Sequence, residues 1–146
     1  MHSVRLVADV AMLAGHRVGL VRYRDVSRYD GQRGWFLPDD LLNESEHPDD
    51  AARRILRDQV GVDAPSIRLS HVESFGNGRW HLIFHYEARM DAEPALIPGA
   101  NVAAAEWFEL DALPPAAEQA HDGWAGETLG RVLVNREGVK AINADA

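Results

Sequence analysis

The side chains with the clearest chemical potential lie in the stretch GWFLPDDLLNESEHPDDAARRILRDQVGV, residues 34–62. Carboxylate oxygens are the ligands that hard cations such as Mg²⁺ and Mn²⁺ prefer in proteins. On a helical wheel, Asp58 and Gln59 fall beside the apolar stripe of a predicted helix, in the sector where a metal site would need its oxygen ligands. Asp58 supplies one anionic oxygen ligand, Gln59 offers a neutral carbonyl, and Ile55 offers none. The helix alone therefore predicts a metal site with few ligands.

Arg54 lies just beyond this sector, four residues before Asp58, so that the two side chains face each other on the helix. One interpretation is a surface ion pair, which contributes less than ~1 kcal/mol to stability. The other interpretation is a pair that belongs to an active site. The spacing alone favours the surface pair.

A second set of candidate ligands lies on two predicted strands, IRLSHVES and RWHLIFHYEARM, which FGNG joins as a hairpin turn. If the turn centres on Asn77, Glu73 pairs with His81, and one strand face carries four polar side chains: His71, Glu73, His81 and His85. Imidazole together with carboxylate suits Zn²⁺ and similar ions. The alternative is a polar sheet face that meets solvent or the central helix. A one-residue change of register would scatter the set.

These candidate residues must be positioned by a few predicted elements, and a chain of 146 residues suits a single core. SVRLVADVAML and VGLVRYR predict a two-stranded hairpin, and WFLP and AEWFEL predict short strands. Pro48 suits the first turn of a helix that runs to about Val60, and Gly61 suits its left-handed end. GWAGETLGRVLVNRE predicts a second helix. The order predicts one mixed α/β (α+β) domain over residues 1–137, with a loose tail at residues 138–146.

Composition excludes several classes of function. The net charge of −8 and the pI near 5.3 argue against an extended nucleic-acid footprint, which needs a basic face. The chain has no cysteine, which excludes disulfides, thiolate metal sites and cysteine nucleophiles. No apolar run approaches the ~20 residues that a membrane helix needs. We therefore expect a cytoplasmic protein with no membrane partner.

Aromatic and arginine side chains add further expectations. One face of the strand RWHLIFHYEARM is predicted to lie in the core: Trp80, Leu82, Phe84 and Tyr86. Trp35 suits either stacking on a nucleotide base or packing in the core. Four arginines in and near the loop after the second strand suit either phosphate recognition or a solvated surface: Arg22, Arg24, Arg28 and Arg33.

The stretch over residues 40–62 resembles the Nudix box, G-x5-E-x7-R-E-U-x-E-E-x-G-U with U aliphatic, which is the signature of the Nudix hydrolase superfamily. Glu46 takes the first glutamate, Arg54 the arginine and Leu56 the aliphatic position, and Gly61 and Val62 take the final pair. WFLP before the box, and EWFEL with DAL after it, resemble the family's lead-in and closing elements. The resemblance spans most of the chain and implies a Nudix-like α/β/α sandwich with a central mixed β-sheet.

The chain also departs from the box. The two positions that usually hold glycine are Asp39 and Asp40, and the positions of three glutamates are held by Ile55, Asp58 and Gln59. Before the predicted closing strand, Asn101 and Ala104 stand where acids are common in the family. The resemblance implies that Glu46, Arg54 and Asp58 are the catalytic-site residues and that Asp58 and Gln59 hold Mg²⁺ or Mn²⁺.

The family implies cleavage of a nucleoside diphosphate linked to another moiety, with metal ions that neutralise the pyrophosphate and activate water. Losing a positioned general base typically costs ~10²–10⁴ in rate. The first expectation is therefore a Nudix hydrolase with weak or absent activity. The alternative is a non-catalytic nucleotide-binding or regulatory module, and a third hypothesis is an enzyme that uses the histidine face. We expect a small nucleotide or pyrophosphate ligand, and pairing of two copies through exposed strand edges as a homodimer.

Overall fold

The computed structural model describes residues 3–76 and 78–144, with side chains described to residue 135. The elements of this part of the chain run in the order β1 Val4–Ala14, β2 Arg17–Tyr23, β3 Asp39–Leu41, α1 Pro48–Val60, β4 Ile67–Gly76, β5 Trp80–Met90, β6 Val102–Glu109 and α2 Trp124–Ala144. Two single-turn 3-10 helices, Ala116–Glu118 and Ala120–Asp122, precede α2. Among the described helices, none has the length and apolar character to cross a bilayer.

The strands form a mixed sheet in the order β4-β5-β1-β2-β6, and β3 also pairs with β1. The pairing of β1 with β5 is parallel, and the pairings of β1 with β2 and β3 are antiparallel. One edge of β1 is shared, because β3 pairs with residues 7–9 and β2 pairs with residues 12–14. With α1 on one face and α2 on the other, the fold is the predicted α/β/α sandwich.

Alternation along β1 divides the interior into two cores, since successive side chains of a strand point to opposite faces. Ala8, Val10 and Met12 pack in the core that contains α1. Ala11 and Leu13 pack in the core that contains α2. Asp9 belongs to the α2 face by the same alternation, so that a carboxyl group lies between apolar neighbours.

Helix α1 has the boundaries that the sequence predicts. Pro48 occupies the first helical position, and the ring of His47 accepts a hydrogen bond from the backbone N–H of Asp49. Gly61 ends the helix with a φ of 68°, a left-handed conformation that glycine adopts without the steric cost of a Cβ. Ile55 and Leu56 of this helix are fully buried in the α1 core.

Three sequence expectations differ from the structure. The strand predicted at WFLP lies later, at Asp39–Leu41, because Trp35 and Phe36 form only isolated bridges. Trp80, predicted to be in the core, is 49% exposed, and its indole N–H donates to the hydroxyl of Ser74. The backbone is helical to Ala144 through most of the predicted tail, and residues 145 and 146 lie outside the described residues.

We predict that Ile55→Ala destabilises the protein by about 2–5 kcal/mol, because it leaves a cavity in the α1 core. Arg53→Ala, on the exposed face of the same helix, is the matched control and should change stability by less than about 0.5 kcal/mol. Denaturant unfolding followed by circular dichroism measures both. Equal stability of the two variants would contradict the placement of Ile55 in the core.

Candidate active site

The loop before α1 is joined to the helix by Arg54. Its guanidinium donates to both carboxylate oxygens of Glu46, at 2.9 and 3.0 Å, and to the backbone oxygen of Leu41 at 2.9 Å. It also pairs with Asp40 at 3.3 Å. The hydrogen bond from Arg54 is the largest influence on Glu46 and lowers its pKa. Glu46 and Arg54 thus brace the loop and the helix, and their catalytic role stays a prediction.

The other candidate positions on α1 do not converge. Asp58 is exposed, and among the described side chains Arg54 is bonded to Glu46 and Asp40 rather than to Asp58. Ile55 points into the core. The ion pair expected from the four-residue spacing is absent from the described hydrogen bonds and salt bridges, because the loop before the helix satisfies Arg54 instead.

Gln59 points inward, and both of its polar atoms are engaged. Its Nε2 donates to the backbone oxygen of Asp39 at 2.7 Å, and its Oε1 accepts from the hydroxyl of Tyr23 at 2.7 Å. The same hydroxyl accepts a hydrogen bond from the backbone N–H of Asp39 at 3.1 Å. Burial is the main cause that raises the pKa of Tyr23, which therefore keeps its proton and can donate it. We call this arrangement of Gln59, Tyr23 and Asp39 the Gln59 lock.

The hydrogen bonds of Gln59 differ from those expected of a ligand to a divalent cation. A hard cation takes several oxygen ligands. Here the N–H group of Gln59 donates a hydrogen bond to the Asp39 carbonyl, at a position where a cation would need an oxygen atom. Within the described part of the chain, no group of three or more histidine or carboxylate side chains is arranged to hold a metal ion. Metal binding by Asp58 and Gln59 remains a prediction from the resemblance.

The histidine face forms with a different register from the expected one. Gly76 pairs with Trp80 and Phe75 pairs with His81, so the hairpin turns one residue later than expected and Glu73 lies opposite Ile83 instead of His81. The shift is two residues, so the side chains still share one face. The ring of His71 stacks on His85 with centroids 4.4 Å apart, and His81 stacks on Phe75 at 4.8 Å. The histidines are thus split into two separate pairs of rings.

A cavity of about 630 Å³ opens on the α2 face of the sheet, a size in the range of roughly 300–1,000 Å³ that small-molecule sites occupy. Aromatic side chains form much of its wall: Tyr29, Phe36, Phe75 and Trp124. Arg5 and Arg28 also line it, as do the carboxyl groups of Asp39, Asp40 and Glu73. Of the four arginines noted in the sequence, Arg28 lines the cavity, while Arg22 lies over the ring of Trp35.

Two carboxyl groups are buried side by side, and one of them, Asp39, lines the cavity. Asp9 and Asp39 are directly paired across β1 and β3, and they are 0% and 8% exposed. Burial is the main cause that raises the pKa of each, and the charge of Asp9 adds to the effect on Asp39. Among the described residues, neither Oδ2 of Asp9 nor Oδ1 of Asp39 has a hydrogen-bond partner.

Sequence reasoning missed Asp9, Tyr23 and Trp124 as site residues. The available signal for Asp9 was a carboxyl group inside an apolar strand, LVADVAML, which breaks the pattern of a buried strand. Asn101, at a position where the family commonly has an acid, holds the loop after β2. Its side chain accepts from the backbone N–H of Asp25 and donates to the backbone oxygen of Asp25.

Comparison with known proteins gives a family match over residues 4–127, to the NUDIX domain. A comparison with curated proteins found no match. A solved structure of a MutT NUDIX hydrolase from Burkholderia pseudomallei is 21% identical, with a TM-score of 0.71 over 90% of this chain and 99% of that one. The NUDIX domain of Shewanella oneidensis NrtR, solved with ADP-ribose, is 22% identical, with a TM-score of 0.64 and 76% of each chain covered.

A MutT/nudix family protein from Enterococcus faecalis is also similar, at 22% identity and a TM-score of 0.66 over 75% of this chain. The match covers 45% of that protein, so the chain spans about half of its length. At these identities the solved structures establish a shared fold.

We predict that Gln59→Glu destabilises the protein, because a buried carboxylate would then face the Asp39 carbonyl without a donor. Leaving buried polar groups unsatisfied costs about 1–3 kcal/mol. Asp58→Asn, at the exposed neighbouring position, should stay within about 0.5 kcal/mol of the wild type. Urea unfolding in the presence of a metal chelator measures both variants. A Gln59→Glu protein as stable as the wild type would contradict the Gln59 lock.

We predict that Asp39→Asn is more stable than the wild type at neutral pH. With a raised pKa, folded Asp39 holds a proton that the unfolded chain releases at lower pH, so its contribution to stability falls as pH rises through the folded pKa. Asparagine does not ionise, and its advantage should therefore shrink in acid. Thermal melts from about pH 4 to about pH 8 test this, with exposed Asp63→Asn as the control. A difference in melting temperature between Asp39→Asn and wild type that does not change with pH would contradict this prediction.

Proposed function

The chain belongs to the NUDIX domain family, and on that premise we propose that it binds a small nucleotide or pyrophosphate ligand and hydrolyses it weakly or not at all. The observation that carries the proposal is the Gln59 lock, in which both polar atoms of Gln59 are bonded inside the protein. The family resemblance places paired metal-binding glutamates at Asp58 and Gln59. Here the side chain of Asp58 is exposed, and the side chain of Gln59 donates a hydrogen bond to the backbone.

The position after the box arginine supports the same conclusion. Ile55 is 0% exposed and has no group that could bind a cation or accept a proton. The loss of a positioned base is worth about 10²–10⁴ in rate. A divalent cation would supply charge neutralisation and an activated water if one bound, but the box residues of this chain offer it too few oxygen atoms.

The cavity supports the binding part of the proposal. Arg5 and Arg28 are its cationic lining side chains, and guanidinium groups suit phosphate oxygens. Tyr29 and Trp124 offer aromatic faces on which a planar base can stack. The solved NUDIX domain with bound ADP-ribose provides a related fold with a nucleotide-type ligand.

The brace between Glu46 and Arg54 supports a binding role that survives without hydrolysis. Arg54 keeps Asp40 beside the cavity, and Asp40 also pairs with Arg28 at 2.9 Å. Asp40 of β3 thereby joins the loop after β2 to helix α1. These contacts position cavity residues, so the box residues that remain have a structural use in ligand binding.

We predict that a panel of nucleotide and sugar-nucleotide pyrophosphates contains ligands that raise the melting temperature without added Mn²⁺. Turnover with Mn²⁺ should stay about 10²–10⁴ below that of a NUDIX hydrolase with a complete box. Arg28→Ala should reduce the thermal shift, while Arg33→Ala, an exposed arginine that does not line the cavity, should not.

Rapid Mn²⁺-dependent cleavage by the wild type would contradict the proposal and favour the hydrolase. A panel without any thermal shift would contradict the binding role.

A further inference from the structure

A row of four polar residues crosses the sheet beneath the cavity. Asp39 on β3 pairs with Asp9 on β1, Asp9 pairs with His85 on β5, and His85 pairs with His71 on β4. Directly paired residues of neighbouring strands place their side chains on the same face. Glu73, two residues after His71, shares that face and lines the cavity.

Three of these side chains form a hydrogen-bonded chain that ends in the cavity wall. His85 Nδ1 lies 2.7 Å from Asp9 Oδ1, and His85 Nε2 lies 2.9 Å from Glu73 Oε1. Each of the two contacts requires one proton, since carboxylates and imidazole have no other donors. With one proton in each contact, the three side chains of Asp9, His85 and Glu73 together carry one net negative charge, whichever atoms hold the protons.

Burying these hydrogen-bonded side chains costs folding free energy. Asp9 and His85 are both 0% exposed, and one carboxyl oxygen of Asp9 has no partner among the described residues. Buried ionic groups are usually no more stabilising than well-packed apolar side chains of the same volume. Departures of this kind are expected where a protein needs the groups for function. Packing therefore does not explain why the α2 face holds an acid at Asp9.

Glu73 is the exposed end of this hydrogen-bonded series, and its side chain is 25% exposed. His85 holds its Oε1, and Arg131 of α2 lies 3.8 Å from its Oε2. The remaining lone pairs of the carboxylate are available on the cavity side. A carboxylate fixed in this way accepts hydrogen bonds with little loss of side-chain freedom, which favours recognition.

We propose that Glu73 is a ligand-binding carboxylate that accepts a hydrogen bond from a donor group of the nucleotide, either a sugar hydroxyl or a base amino group. His85 and Asp9 act as positioning residues for it. This inference rests on the proposed nucleotide-binding function. The phosphates of the same ligand would lie towards Arg5 and Arg28, so that the two ends of the ligand meet opposite charges.

The test compares wild type, Glu73→Gln and the exposed control Glu127→Gln by calorimetric titration with ADP and with inorganic pyrophosphate, without divalent cations. In Glu73→Gln the amide oxygen stays on His85, and the N–H₂ group then faces the ligand donor. ADP affinity should fall about 10- to 100-fold, as expected for a lost hydrogen bond to a charged group. Pyrophosphate affinity should not fall, because removing a negative charge reduces repulsion of any anion. Glu127→Gln should match the wild type.

Two further ligands identify the donor. If the donor is a sugar hydroxyl, 2′,3′-dideoxyadenosine diphosphate should show no difference between wild type and Glu73→Gln. If the donor is the base amino group, inosine diphosphate should bind wild type and Glu73→Gln with equal affinity. If Glu73→Gln fails to fold in a thermal melt, Glu73→Asp replaces it, since the shorter carboxylate cannot reach both His85 and the ligand.

Unchanged ADP affinity in Glu73→Gln, or an equal loss for ADP and pyrophosphate, would overturn the inference and leave the proposed function intact. Binding of neither probe to the wild type would overturn the inference, and if the pyrophosphate panel also gave no thermal shift, the proposed function would fall with it. Rapid Mn²⁺-dependent turnover together with the ADP-specific loss would overturn only the non-catalytic part of the proposed function.

Discussion

The hydrogen bond from the Gln59 amide to the Asp39 carbonyl is the constraint on which the rest of the site depends. It joins α1 to β3, and through the hydroxyl of Tyr23 it also joins both to β2. The ring of Tyr23 stacks on Tyr29 with centroids 3.8 Å apart, so the same interaction holds the loop that forms one cavity wall. Because both polar atoms of Gln59 and the backbone groups of Asp39 are hydrogen-bonded here, we propose that this corner of the fold is complete without a cation.

The second constraint is the pair of buried carboxyl groups on the opposite side of the sheet from α1. Asp9 and Asp39 are buried next to each other, and Asp9 is hydrogen-bonded to His85. Burial opposes the charge of His85, but the contacts with Asp9 and Glu73 outweigh it and raise its pKa. The cavity lining thus contains the carboxyl groups of Asp39, Asp40 and Glu73 together with Arg5 and Arg28. This arrangement supports the proposed binding of a polar ligand with distinct ends.

Local sequence signals were sufficient where the interacting residues are close in the chain. Pro48 and Gly61 predicted the limits of α1, and the box spacing brought Glu46 and Arg54 together. The apolar pattern also predicted the two hairpins and a mixed α/β domain, because alternation and turn residues act over a few positions, while the sandwich arrangement was implied by the family resemblance. These signals do not specify which distant residues meet.

The parts that could not be predicted depend on distant partners. Gln59 meets Asp39 across 20 positions and Tyr23 across 36, and Asp9 meets His85 across 76. A side chain with the chemistry of a metal ligand thus became a structural hydrogen-bond donor, which its type and helical position alone could not indicate. The predicted register between β4 and β5 was also wrong by two residues, because the two glycines of FGNG allow the hairpin to turn at more than one position and the turn lies one residue later than expected.

The most direct test of the central claim, that the box corner is complete without a cation, is calorimetric titration of Mg²⁺ and Mn²⁺ into the wild type and into Asp58→Ala. We predict no saturable binding in the micromolar range for either protein, because the box offers a cation too few oxygen ligands. Micromolar binding to the wild type that disappears in Asp58→Ala would contradict the claim, since it would place a cation at the box positions of α1.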